Sequence, residues 1–146
     1  MMTTSPVKLI EIWQKALQEH GYRLTSARRV VMNILAASET SLTPQEIYGK
    51  ARDEGLSLSL ASVYRTLEAL ESFNLIQQIH QPGGCQAYWP TLIGNKHFII
   101  CKKCGRMEVF EGLDDLNDLF IKVEKDSGYI VQEHWLQFFG LCKQCQ

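Results

Sequence analysis

Residues 59–89, SLASVYRTLEALESFNLIQQIHQPGGCQAYW, change their hydrophobic period part-way along, and that change decides the fold. Up to Leu70 the apolar residues Leu60, Val63, Leu67 and Leu70 recur every three or four positions, which predicts a helix with one buried stripe. Ser59 is its N-cap, and Ala61, Ser62, Arg65 and Glu68 face outward with Tyr64 at the border. After Asn74 the pattern becomes strand-like. Residues 75–80 and 85–89 read as two strands around a four-residue turn, Gln81-Pro82-Gly83-Gly84, and so as a β-hairpin.

Three further helices precede this pair. Residues 7–20 carry Leu9, Ile10, Trp13, Ala16 and Leu17 on one stripe, and Gly21 ends the run. A second helix starts at Thr25 or Ser26 and runs through Val30, Val31, Ile34 and Leu35. Thr43-Pro44-Gln45-Glu46 combines a capping hydroxyl, proline at the first helical position and a glutamate at the capping-box position; that helix continues through Ile47, Tyr48 and Ala51 to about Gly55. Helices followed by a hairpin wing make a winged helix over residues 1–89. Small polar residues and an arginine in the first turns of the fourth helix suit insertion into the DNA major groove, although an ordinary solvated face has the same pattern.

Residues 90–95 contain Pro, Gly and Asn without periodicity and read as a hinge. Residues 96–146 then read as a small α/β domain: strand 96–100, a CxxC turn, strand 107–111, helix 113–125 with Leu116, Leu119, Phe120 and Val123 as its stripe, strand 129–139 and a final CxxC. The fold class is α+β. About 50 residues hold a limited core, so Phe98, Ile99, Ile100 and Phe110 imply a metal staple and a symmetric interface with a second copy.

The four paired cysteines are Cys101, Cys104, Cys142 and Cys145. Two CxxC turns supply a tetrahedral site of four thiolates, the donor set of structural zinc. The 37 residues between the pairs exceed the usual ribbon spacing, and an inserted helix accounts for that. A redox dithiol would want a CxxC at a helix N-terminus, and catalytic zinc would need an open coordination position; neither condition is met here.

The 146 residues are 45% hydrophobic and 21% charged, enough to bury a core, and no apolar run approaches the roughly 20 residues of a membrane helix. The start of the chain lacks a secretory pattern, so a cytoplasmic protein with reduced thiols is expected. Fifteen basic against sixteen acidic residues give a net charge of −1, which by itself speaks against a nucleic-acid partner. Any DNA contact must come from local arrangement, as at Arg23, Arg28, Arg29 and Arg65. Ser/His/Asp and phosphate-loop constellations are missing, which weakens an enzymatic reading. A thiol oxidoreductase, a zinc hydrolase and a protein-binding zinc-ribbon adaptor are the competing classes.

In their order, Arg23-Leu24-Thr25-Ser26-Ala27-Arg28, Thr43-Pro44-Gln45-Glu46-Ile47-Tyr48, Ala61-Ser62-Val63-Tyr64-Arg65-Thr66-Leu67 and the two CxxC pairs resemble the ferric uptake regulator family of bacterial metal-responsive repressors. The resemblance runs from about Leu17 to Cys145. It implies a homodimer whose winged helices bind AT-rich palindromic operators of metal-uptake genes when a regulatory metal is loaded, with no small-molecule substrate beyond metal ions. Carried over by position, Tyr64 and Arg65, with Ser62 beside them, would face the major groove, and Arg23 the DNA backbone or minor groove. Members of the iron branch carry a histidine-rich tract before the first CxxC; here that stretch is Asn95-Lys96-His97-Phe98, and Trp89 stands where an acidic ligand is expected. The chain is thus most like the zinc uptake branch, with an iron- or peroxide-responsive regulator as the alternative.

A sensing site follows from the hairpin. His80 and Cys85 bracket the expected turn, so in a regular hairpin they would face each other with Cβ atoms about 5 Å apart. His97 would add a third ligand and Glu108 or Glu111 a fourth, a set suited to zinc. His134 reads first as a satisfied histidine on a strand and otherwise as a substitute ligand, and His20, at a helix end, as a cap or a solvated side chain.

Overall fold

The computed structural model describes residues 5–91, 96–112, 116–132, 134 and 136–146. The chain divides into two compact units, Met1–Thr91 and Leu92–Gln146. In the first lie α1 (Pro6–Glu19), α2 (Ser26–Ala37), α3 (Pro44–Asp53), α4 (Leu60–Ser72), β1 (Ile76–His80) and β2 (Gln86–Pro90).

All four helices start on a side-chain hydroxyl, from Ser5, Thr25, Thr43 and Ser59, that accepts a first-turn N–H otherwise left without a helical partner. Thr43 makes the complete capping box: its N–H donates to the Glu46 carboxylate at 2.7 Å, and the Glu46 N–H donates to its Oγ1 at 3.2 Å. Thr43→Ala is expected to lower the stability of this unit by about 1 kcal/mol. A urea titration checks it as a lower midpoint at unchanged slope.

Trp13 and Leu17 of α1, Val31, Met32 and Leu35 of α2, Ile47 and Ala51 of α3, and Val63, Leu67 and Leu70 of α4 form one core that reaches Ile76 of β1 and Tyr88 of β2. The stripe of α4 is rotated from the expected one. Leu60 is 37% exposed, and Thr66 lies inside at 1%. Position 66 falls between Val63 and Leu70 on the inner face, and the Thr66 hydroxyl is satisfied there by donating to the Ser62 carbonyl at 2.8 Å.

β1 and β2 pair antiparallel, with His80 opposite Gln86 and Ile76 opposite Pro90. The Gln81 N–H donates to the Cys85 carbonyl and the Gly84 N–H to the Gln81 carbonyl, so the turn holds three residues, not four. Gly83 and Gly84 sit at φ 104° and 84°, backbone angles that glycine adopts without strain. Leu42 adds an isolated bridge to Tyr88, which widens the wing beyond the expected two strands.

The second unit contains β3 (Lys96–Cys101), β4 (Met107–Glu111), α5 (Asn117–Ser127) and β5 (Gln137–Gly140). Its sheet has the order β4-β3-β5, with β3 antiparallel to β4 and parallel to β5. A parallel neighbour needs a crossover, and the segment containing α5 supplies it. Among the described residues the expected strand over 129–139 is found at Gln137–Gly140; residues 133 and 135 within it, residues 113–115 at the expected helix start and residues 92–95 of the expected hinge lie outside the described residues. Phe98 and Ile100 are buried, but α5 buries no residue within the chain. Ile121, Tyr129 and Ile130 are 60%, 76% and 83% exposed, and Phe138 and Phe139 of β5 are exposed as well. No helix among the described residues is long and apolar enough to cross a membrane.

Candidate metal centre and nucleic-acid interface

Cys101 ends β3, and Cys104 follows it in a turn closed by Gly105 N–H donating to the Cys101 carbonyl at 2.9 Å. Gly105 has φ 74°, which carries the chain back into β4. Cys142 and Cys145 form the matching turn beyond β5, with Cys145 N–H donating to the Cys142 carbonyl at 2.9 Å. The parallel pairing of Cys101 with Gly140 brings the two turns together. All four Sγ atoms lie within 4.8 Å of one another, and Cys104 and Cys142 are 3.7 Å apart. A tetrahedron with metal–sulfur bonds of 2.3 Å has an edge of about 3.8 Å, so this donor set fits one tetrahedral metal ion.

The polar surroundings of the thiols differ. The Cys142 N–H donates to the Cys101 Sγ at 3.4 Å, and with the Cys104 N–H it brings the Cys101 thiol down to about 6. Cys145 is pushed up to about 12, chiefly by its side-chain hydrogen bond with Cys142 and by burial. A bound cation reverses the latter, because coordination deprotonates a thiol outright. Arg106 and Gln144, one beside each turn, are joined by a 2.8 Å hydrogen bond. The four cysteines singled out in the sequence are thus brought together without exception.

The other expected ligands are not. The three-residue turn moves the pairing by one position, so His80 faces Gln86 and Cys85 faces Gln81. Neighbouring side chains on a strand alternate between faces, so His80 and Cys85 lie on opposite faces of the ribbon and the expected cross-strand pair is not formed. In the second unit His97 is buried and opposes Phe110, and Glu108, opposite Ile99, shares its face. Glu111 opposes Lys96 and lies on the other face. The rings beside His97 are Phe110 at 5.9 Å and His134 at 5.8 Å between centroids, and Phe120 lies tilted against His134 at 5.0 Å. Among the described residues only the four cysteines form a group of three or more donors within ligating distance. His20 caps α1 as expected, its Nδ1 lying 2.7 Å from the Ala16 carbonyl.

On α4, Tyr64 and Arg65 are exposed, and among the described residues Arg65 makes no ion pair. Ser62 is half-buried and accepts from Ser59 Oγ at 2.9 Å, so it belongs in part to the helix cap. Arg23 is exposed, and its carbonyl accepts from Arg28, whose guanidinium sits 5.2 Å from the centre of the Tyr22 ring. A contact that the sequence did not signal joins α3 to α4: Gln45 Nε2 donates to Tyr64 Oη at 3.1 Å.

A winged-helix unit followed by a small sheet closed by four clustered cysteines defines a metal-binding, DNA-binding regulator. Residues 19–139 match the sequence profile of the ferric uptake regulator family, and the chain belongs to that family, whose members are transcriptional regulators and not enzymes. The ferric uptake regulation protein of Bacillus subtilis (strain 168) is 29% identical over 136 residues, covering 90% of this chain and 91% of that one. The ferric uptake regulator of Helicobacter pylori, whose structure reveals three functional metal binding sites, superposes with a TM-score of 0.70 at 26% identity, over 96% of this chain and 93% of that one. A zinc uptake regulator complexed with zinc and DNA shares the fold, with a TM-score of 0.70 at 19% identity over 98% and 95% of the two chains.

Proposed function

We propose that the protein is a zinc-responsive repressor of metal-uptake genes that acts in the cytoplasm as a homodimer on palindromic, AT-rich operators. The observation that carries this reading is the outward face of α4, where Tyr64 and Arg65 stand exposed on a helix anchored by Val63, Leu67 and Leu70. An arginine in that place reaches guanine or phosphate, and a dimer presents two such helices about 34 Å apart, one turn of DNA.

The exposed Ile121, Tyr129, Ile130, Phe138 and Phe139 support dimerisation through the second unit, since a second copy would bury what α5 and β5 leave open. Cys101, Cys104, Cys142 and Cys145 would hold structural zinc, which cross-links the end of the sheet to the end of the chain. With the hairpin pair removed, His97 carries the sensing role, and His134, its ring 5.8 Å away, takes the place of Cys85 as the second ligand. Two imidazoles suit zinc, and a carboxylate would complete the set.

The test is a titration of zinc, iron(II) and manganese(II) against the affinity of the full chain for a duplex selected by the protein from random DNA. Zinc is expected to promote binding at the lowest free concentration. DNA binding indifferent to zinc but responsive to iron(II) would overturn the zinc assignment. His97→Ala is expected to raise the zinc concentration for half-maximal binding about ten-fold while one tightly held zinc per chain remains.

A further inference from the structure

The hydrogen bond between α3 and α4 has a directional consequence. Gln45 is the second residue of α3, behind Pro44, and its position is set by the Thr43–Glu46 capping box. Tyr64 is in the second turn of α4 and 45% exposed. Between them the Gln45 amide donates to the phenol oxygen at 3.1 Å. A phenol has one proton and accepts through its oxygen, so an oxygen already engaged by an amide N–H has its own proton turned away from Gln45.

We propose that Gln45 is a positioning residue for DNA recognition: it holds the Tyr64 hydroxyl as a hydrogen-bond donor aimed outward at an acceptor on the duplex. This rests on the reading of α4 as the DNA-binding helix. The acceptor is a base-edge atom, such as purine N7 or thymine O4, or a phosphate oxygen, and both take the same proton. Pre-setting the hydroxyl removes the cost of ordering a mobile phenol on binding. Because α3 is one of the helices on which α4 packs, the same bond ties the angle of the tyrosine to the packing of the two helices.

The experiment is a double-mutant cycle on the metal-loaded full chain, with a duplex that the wild type selects from random DNA as the probe. Gln45→Ala is expected to weaken binding about five-fold and Tyr64→Phe about ten-fold. The double variant should weaken it about ten-fold as well, far from the product of the two, because the amide acts only through the hydroxyl. Full multiplicativity would overturn the proposal, since Gln45 would then contact DNA on its own account. An unchanged affinity for Gln45→Ala would overturn it too.

Arg65→Ala separates this failure from failure of the underlying reading. If Arg65→Ala weakens binding and Gln45→Ala does not, only the positioning role falls. If neither does, α4 is not the DNA-binding helix and both fall. Repeating the selection with Tyr64→Phe distinguishes the acceptors: lost preference at one base position identifies a base edge, and uniform weakening a phosphate.

Discussion

Cys101→Ser is expected to remove the tightly bound metal and, with it, the fold and dimerisation of the second unit. Cys101 is the buried member of the four, the last residue of β3, and its Sγ accepts the Cys142 N–H. A metal held there cross-links β3 to the segment after β5, and α5 between them has no buried residue of its own within the chain. In zinc-finger peptides a structural zinc contributes about 10–16 kcal/mol at neutral pH, more than a core of this size supplies. Metal analysis should find less than one ion per chain. Sedimentation should show monomer, and limited proteolysis should cut after Thr91 while the helices of the first unit stay protected. A chelator should do the same to the wild type. A metal-free variant that stays dimeric and protease-resistant would show that the cysteines are not what holds this unit.

Arg65→Ala is expected to weaken operator binding by about 1–3 kcal/mol, roughly five- to 150-fold at 25 °C, with metal content and dimerisation intact. The structural cost is small. Arg65 is exposed, among the described residues it makes no ion pair, and alanine is the best helix former. Anisotropy titrations at several salt concentrations separate two modes of action. Loss of a phosphate contact lowers the salt slope by about one and weakens all sequences alike, whereas loss of a guanine contact relaxes the preference at one position. An affinity equal to that of the wild type would return the second unit to the competing reading as a protein-binding zinc module. The near-neutral chain is compatible with DNA binding because a few well-placed cations suffice when two helices read bases, at the cost of a shallower salt dependence than a strongly basic protein has.

What the sequence determined by itself was whatever depends on neighbours within a few positions. Ser59, Thr25 and the Thr43–Glu46 box set their helix starts because a cap is completed within three residues. The ligands of the metal centre were equally legible, since each CxxC presents two thiolates by local geometry and only their meeting remained to be seen. Tertiary structure decided what depends on one residue of register or on contacts between distant segments. Counting the turn at Gln81 as a loop residue predicts His80 opposite Cys85. The observed Gln81–Cys85 bond shortens the loop by one and sends the two side chains to opposite faces. The inward turn of Thr66 and the outward one of Leu60 follow from how α4 rolls against the other helices, which its own period leaves free by a fraction of a turn. His134 beside His97, and Gln45 bound to Tyr64, join residues 37 and 19 positions apart, and no local pattern encodes such meetings.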